Sequence, residues 1–232
     1  MLSYLMIKPC AVKSVWRISL TNMKKTIALA LGVLTMSTAA NAIVYDAAVD
    51  GVNAPAGSTF TGSGSLFAGD WNGTWELGIG WREIDINNFL LITFDQPQLV
   101  TQLSLGALYM EGPYSDPNEM ARITFNGSTT YRLQAVGETS ASWDGQGTVS
   151  NLSEAGYEST DGGAWSIVNP FGSVPVTSIL LEAEHVDTRL GGDSDYGLNG
   201  FRTSAVPDGG SALSLLGVAL CSLAAWRRKL RA

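Results

Sequence analysis

Lysine and cysteine are both absent from residues 43–206, and the two cysteines, Cys10 and Cys221, lie outside that stretch. The segment can therefore hold no internal disulfide and no zinc or dithiol redox site built on thiolates. Histidine occurs once, at His185, so a multi-histidine metal centre cannot form; with no Gly-x-Ser-x-Gly elbow to accompany it, His185 reads as a surface residue. Positive charge is scarce: between 43 and 206 there are five arginines against twenty acidic residues, a net charge near −15. Such a field repels nucleic acid phosphates and anionic lipid heads, which excludes nucleic acid as a partner. It suits divalent cations, neutral sugars or basic partners. No transmembrane run, heptad or long amphipathic helix occurs in this stretch, and Gly62-Ser63-Gly64 lacks the lysine and helix that a phosphate-cradling loop requires.

The ends supply what the middle lacks. Residues 1–42 carry five basic residues and no acidic one. Met23-Lys24-Lys25 opens a basic region, Ile27 to Met36 is largely apolar, and Ala40-Asn41-Ala42 places small residues at the −3 and −1 positions. These parts, in that order, predict a secretory signal peptide over 23–42, cleaved after Ala42. The expected partners are the secretion translocase and signal peptidase. Residues 1–22 fit poorly before this signal and are read as a mis-called start, with translation beginning at Met23, or as a leader extension.

At the other end, Val206-Pro207-Asp208-Gly209-Gly210 is a turn-prone sequence that continues neither strand nor helix. Ala212 to Trp226 is apolar apart from Ser214 and Ser222, and Arg227-Arg228-Lys229 follows. The basic cluster favours retention on the cytoplasmic side. Fifteen helical residues extend about 22 Å at 1.5 Å per residue, short of the roughly 30 Å of bilayer hydrocarbon, which suits a transient anchor.

Glycine makes up 22 of the 164 residues in 43–206, about twice its average share. Turn signals recur at Asn72-Gly73, Asn126-Gly127, Asp144-Gly145, Asp161-Gly162-Gly163 and Gly191-Gly192. Strand-like runs lie between them at 88–94, 99–109, 121–125, 130–136 and 178–183. In the second run, Leu99, Thr101, Leu103, Leu105 and Ala107 alternate onto one face. The pattern predicts an all-β domain over 43–205, an antiparallel β-sandwich of jelly-roll type, flanked by an N-terminal signal helix and a C-terminal hydrophobic helix over 206–232.

The tail resembles the PEP-CTERM superfamily of bacterial sorting signals, in its VPDSG-like subclass. The resemblance rests on Val206, Pro207, Asp208, Gly209, Ser211, Leu215-Leu216-Gly217 and Arg227-Arg228; the variant here is Val-Pro-Asp-Gly-Gly, with glycine where serine is usual. It implies processing near the motif by an exosortase-like membrane protease, after transient anchoring in the inner membrane. It further implies delivery to the cell surface or matrix of a Gram-negative bacterium that makes exopolysaccharide. The stretch 78–109 also resembles a segment common in exported PEP-CTERM proteins, in which a Glu-Ile-Asp turn precedes two paired strands. Asn118-Glu119-Met120-Ala121 and Asp195 to Phe201 fit the same pattern. This second resemblance implies architecture and export and no reaction.

Three constellations could carry chemistry. Asp193 and Asp195, with Asp187 upstream and Glu83 and Asp85 in the Glu-Ile-Asp turn, offer oxygen ligands for calcium, although the spacing is far looser than an EF-hand loop; the alternative is a solvated acidic loop. Trp71, Trp75 and Trp81 fall among Gly69, Gly73, Gly78 and Gly80 and offer flat apolar faces to a pyranose ring; the alternative is that they fill the core. Trp143 and Trp165 admit either role. Glu182 and Glu184 share a strand face, but glycosidic carboxylates ordinarily come from different strands, so an exposed polar face is the simpler reading. The expected function is thus a non-enzymatic, exported envelope or matrix protein that binds carbohydrate such as exopolysaccharide or other envelope material. A secreted carbohydrate-active hydrolase and a purely structural surface protein are the alternatives.

Overall fold

A computed structural model of the chain describes residues 41–71, 74–80, 83–110, 118–137, 139–153, 162–184, 194–206 and 209–230. The β domain spans Ala40–Asp208, and the C-terminal helix belongs to a separate unit. The signal segment 23–40, and with it Ala40, lies outside the described residues; Ala42 is exposed directly before the buried Ile43.

In chain order the elements are β1 (Val44–Asp46), α1 (Ala47–Asp50), β2 (Ser58–Gly62), β3 (Leu66–Trp71), β4 (Thr74–Ile79), β5 (Phe89–Tyr109), β6 (Met120–Phe125), β7 (Thr129–Gly137), β8 (Ser140–Trp143), β9 (Thr148–Asn151), β10 (Gly162–Val168), β11 (Val176–Ala183), β12 (Gly197–Ala205) and α2 (Gly209–Leu230). Every strand pairing is antiparallel. The fold is all-β and sandwich-like, as the turn spacing predicts. The Asn126-Gly127 signal is a hairpin turn between β6 and β7, with both residues at positive φ, 51° and 66°; primed turns require this and glycine and asparagine tolerate it.

The two layers are stitched together by β5. Its first half pairs with β2 and β11, and its second half with β10 and β12. One layer therefore runs β2–β5–β11–β6–β7–β8 and the other β9–β10–β5–β12–β4–β3, with β1 beside β4 on β12. The sequence pattern predicts two separate strands at 88–94 and 99–109, and the resemblance of 78–109 implies that they pair; they form instead one continuous strand of 21 residues. Asp95-Gln96-Pro97-Gln98 contains no glycine to reverse the chain. Between the pairs Val176↔Gln98 and Ser178↔Thr93 the register shifts, so β5 bows out around Pro97, which has no N–H to give to a ladder.

The face assignment in 99–109 is half right. Leu103, Leu105 and Ala107 are buried, but Leu99 and Thr101 are only half-buried, and Gln98 and Val100 take the inner positions. A bulge at Thr101, between the pairs Arg202↔Gln102 and Thr203↔Val100, switches the side on which alternate residues emerge.

The core joins both layers. Phe60 and Phe94 come from the first layer, and Tyr45 and Phe201 from the second. Their ring centroids are 4.9 Å apart for Tyr45–Phe60, and 5.6 Å for both Tyr45–Phe201 and Phe94–Phe201. Trp165 is 1% exposed, and its indole N–H donates to the Leu108 carbonyl at 2.8 Å. Trp143 packs edge-on to Tyr131 and donates to the Gln146 carbonyl at 2.5 Å. Both tryptophans are thus structural. Helix α2 is longer than its apolar stretch, and among the described residues no helix is long and apolar enough to cross a membrane.

Candidate functional site

Of the tryptophan cluster, Trp81 and the side chain of Trp71 lie outside the described residues. Trp75 sits on β4 opposite Asp70 of β3, and its side chain is 41% exposed. A large apolar ring left that open forgoes much of the stabilisation that burial would give it. Its backbone carbonyl accepts a hydrogen bond from Asn199 Nδ2 at 2.7 Å, which ties β4 to the bulge in β12.

The outer face of the second layer is polar, and sequence reading alone did not single it out. Register places Ser150, Ser166, Ser104, Gly200 and Asp46 in a row across five strands. Gln102 and Arg202 pair in the next row. Gln102 Nε2 donates to Ser166 Oγ at 2.9 Å and to Ser104 Oγ at 3.3 Å. Farther along that face Glu76 is fully buried, and its carboxyl group lies over Gly106 and Gly197. A Cβ at Gly197 would come within 2.5 Å of Glu76 Oε2, and one at Gly106 within 2.8 Å, so both strands need glycine there. The signal in the sequence was the alternation of Gln102, Ser104 and Gly106 with Leu103 and Leu105, which marks a polar face but not what crosses it.

The acidic residues divide into two groups. Asp187 and Asp193 lie outside the described residues. Asp195 hydrogen-bonds to Glu119, which is 5% exposed and also accepts from the Tyr109 backbone N–H. Burial holds the Glu119 carboxyl well above the usual carboxylate range; the charge and hydrogen bond of Asp195 push the same way, the Tyr109 amide opposes them, and the charge of Glu83 adds a smaller upward push. A hydrogen bond between two carboxyl groups needs a proton on one of them, so the pair is built to hold a proton. Ser194 Oγ accepts from Met120 N–H at 3.3 Å and fixes this segment to β6. Asp85 is exposed and its carboxylate accepts from the Ile86 amide at 2.6 Å. Among the described residues no group of three or more His, Cys, Asp or Glu is arranged to hold a metal ion.

Glu182 and Glu184 are engaged with arginines across the outer face of the other layer. Glu182 pairs with Arg122 at 3.4 Å, and Glu184 with Arg132 at 2.7 Å. Arg132 also reaches Asp144 at 4.0 Å. A carboxylate held by a guanidinium is poorly suited to donate a proton to a leaving group. His185 lies outside the described residues.

Beyond β12 the chain enters the tail, of which Val206 is half-buried, Pro207 and Asp208 are outside the described residues, and Gly209 and Gly210 open α2. Residues 205–230 match the family model of the VPDSG-CTERM motif. The tail is therefore a sorting signal of the PEP-CTERM kind, and it implies an exported protein processed by an exosortase-like membrane protease. The VPDSG-CTERM match covers Ala205 at the end of β12, the Val206-Pro207-Asp208 stretch, the apolar helix and the basic residues Arg227 and Arg228, and leaves the rest of the β domain unmatched. No curated protein sequence matches the chain significantly.

Proposed function

We propose that this is a non-catalytic surface or matrix protein of the bacterial envelope whose β domain binds glycan, the exopolysaccharide of the producing cell being the natural candidate. The VPDSG-CTERM tail carries the export half of this reading. The observation behind the binding half is Trp75, an aromatic ring 41% exposed and anchored through its backbone to β12. A pyranose stacks on such a face through its axial hydrogens, and the backbone that carries the ring is already fixed in the sheet. A net charge near −15 over 43–206 favours a ligand recognised through hydroxyls over one recognised through anionic groups.

The test is affinity electrophoresis of the full chain, in mild detergent, through gels containing neutral or acidic polysaccharide. Retardation by a glycan that falls by about tenfold or more in Trp75→Ala, the loss expected when a stacking contact worth about 1.5 kcal/mol is removed, supports the reading. A folded protein that no glycan retards refutes it and leaves the purely structural role.

A further inference from the structure

A cleft of about 90 Å³ opens on the polar face of the second layer, with Asp46, Gln102, Ser104, Asn199 and Arg202 among its lining residues. It is too small to enclose a sugar and large enough to seat one side of a ring. Its walls come from β1, β5 and β12, so their positions are fixed by the sheet rather than by loops.

The cleft holds two opposite charges that do not neutralise each other. Among the described residues, Arg122 and Arg132 are taken up in ion pairs, whereas Arg202 has no carboxylate within 4.0 Å. In a domain with twenty acidic residues and five basic ones, an exposed guanidinium left without an ion pair is unusual. Asp46 Oδ1 accepts from the Ala48 N–H at 3.0 Å as the N-cap of α1, and among the described residues Oδ2 accepts no hydrogen bond. The floor is already organised: Gln102 is held by the Ser104 and Ser166 hydroxyls, and Ser104 Oγ donates to Ser166 Oγ at 3.4 Å. Asn199, whose amide nitrogen is committed to the Trp75 backbone carbonyl at 2.7 Å, also lines the cleft.

A fork of N–H donors and a carboxylate acceptor facing one small cleft match adjacent hydroxyls, each of which both donates and accepts. We infer that this cleft is a binding site for a neutral pyranose presenting vicinal hydroxyl groups, read by Arg202 as donor and Asp46 as acceptor. The inference rests on the glycan-binding reading and adds to it the locus and the class of sugar. A uronate fits less well, because its carboxylate would meet Asp46 as well as Arg202.

The experiment is titration of the full chain, in mild detergent, with dextran and galactomannan as neutral probes and polygalacturonate as the acidic one. The parent protein is compared with Arg202→Met, Asp46→Asn and Trp75→Ala. Met keeps the apolar stem of Arg202, and Asn keeps an oxygen for the α1 cap, so both variants are expected to fold, which thermal unfolding checks. The expected result is neutral-glycan binding weakened by about tenfold to a hundredfold in Arg202→Met, the loss typical of a hydrogen bond to a charged group, with a smaller loss in Asp46→Asn. Unchanged neutral-glycan binding in both, with loss in Trp75→Ala, overturns the cleft and leaves the glycan-binding reading intact. Preference for polygalacturonate, abolished in Arg202→Met, overturns the neutral-sugar assignment. Absence of binding to all three probes defeats the reading and the inference together.

Discussion

Phe201 is where the two layers meet, and its removal is the sharpest test of the architecture. The side chain is 1% exposed and lies 5.6 Å from Tyr45, 5.6 Å from Phe94 and 6.3 Å from Phe60, centroid to centroid. Phe201→Ala should cost about 3–5 kcal/mol, the usual penalty for truncating a buried aromatic residue and leaving a cavity. Phe201→Leu keeps most of the volume but loses the ring geometry, which contributes about 0.5–1.5 kcal/mol for each aromatic pair. Its cost should therefore be about 1–3 kcal/mol. For a domain of this size each kcal/mol corresponds to about 2–4 °C in melting temperature, so the alanine variant should melt roughly 6–20 °C lower. Urea denaturation followed by near-ultraviolet circular dichroism and tryptophan fluorescence would report both the free energy and the cooperativity. A loss below about 1 kcal/mol for Phe201→Ala, against the 3–5 kcal/mol expected, would refute the claim that this cluster holds the layers together.

Two further outcomes follow from buried chemistry and from backbone geometry. Because the Glu119 carboxyl is pushed up in the folded protein, the native state holds that proton more tightly than the unfolded chain; the contribution of Glu119 to stability should be fully present below the ordinary glutamate range and be lost as pH rises above it, and Glu119→Gln should remove that component of the pH dependence in urea titrations at stepped pH. If the variant's stability follows pH as steeply as the parent's, the proton is not held at Glu119. Gly147 has φ 76°, and a Cβ there would lie 1.9 Å from the Val168 carbonyl oxygen; Gly147→Ala should cost about 3 kcal/mol or more, as a backbone clash adds to left-handed strain, and thermal denaturation within 2 °C of the parent, equivalent to about 1 kcal/mol or less, would contradict the turn geometry.

What the sequence made legible is what local chemistry controls. The Asn126-Gly127 turn, the strand runs around Ile123, Leu133 and Leu181, and the all-β class follow from turn residues and period-two burial, which act over a few neighbours. The continuity of β5 was not legible, because Leu91 and Leu103 each look like the middle of a separate strand. Only the partners, β11 and then β12, show that the chain passes from one layer to the next without turning. The bulge at Thr101 was equally hidden, since an extra residue in a ladder is defined by the strand opposite. The same limit explains the sites. Three tryptophans close in sequence suggested one surface, of which Trp75 is described and exposed. Asp46, Gln102 and Arg202 share a cleft while standing 56 and 100 positions apart along the chain, and no local pattern joins them. Glu182 and Glu184 were readable as a pair on one face, but the arginines that engage them come from β6 and β7.

The junction between domain and tail shows how sorting and folding can be kept apart. The last ladder pair of β12 is Ala205↔Gln98, and the VPDSG-CTERM match begins at residue 205. Proline at 207 disfavours continued pairing, because it lacks an N–H and restricts the residue before it. The strand therefore ends where the sorting signal starts. A cut anywhere within 206–210 would leave intact every β12 pair, the buried Phe201, and the Thr203 hydroxyl that accepts from Ile43 N–H at 2.9 Å and donates to Gln98 at 3.0 Å. Among the described residues the apolar cluster of the β domain ends at Phe201. Removal of the tail is then expected to change where the protein resides while leaving the fold and the polar face of β5 and β12 unaltered.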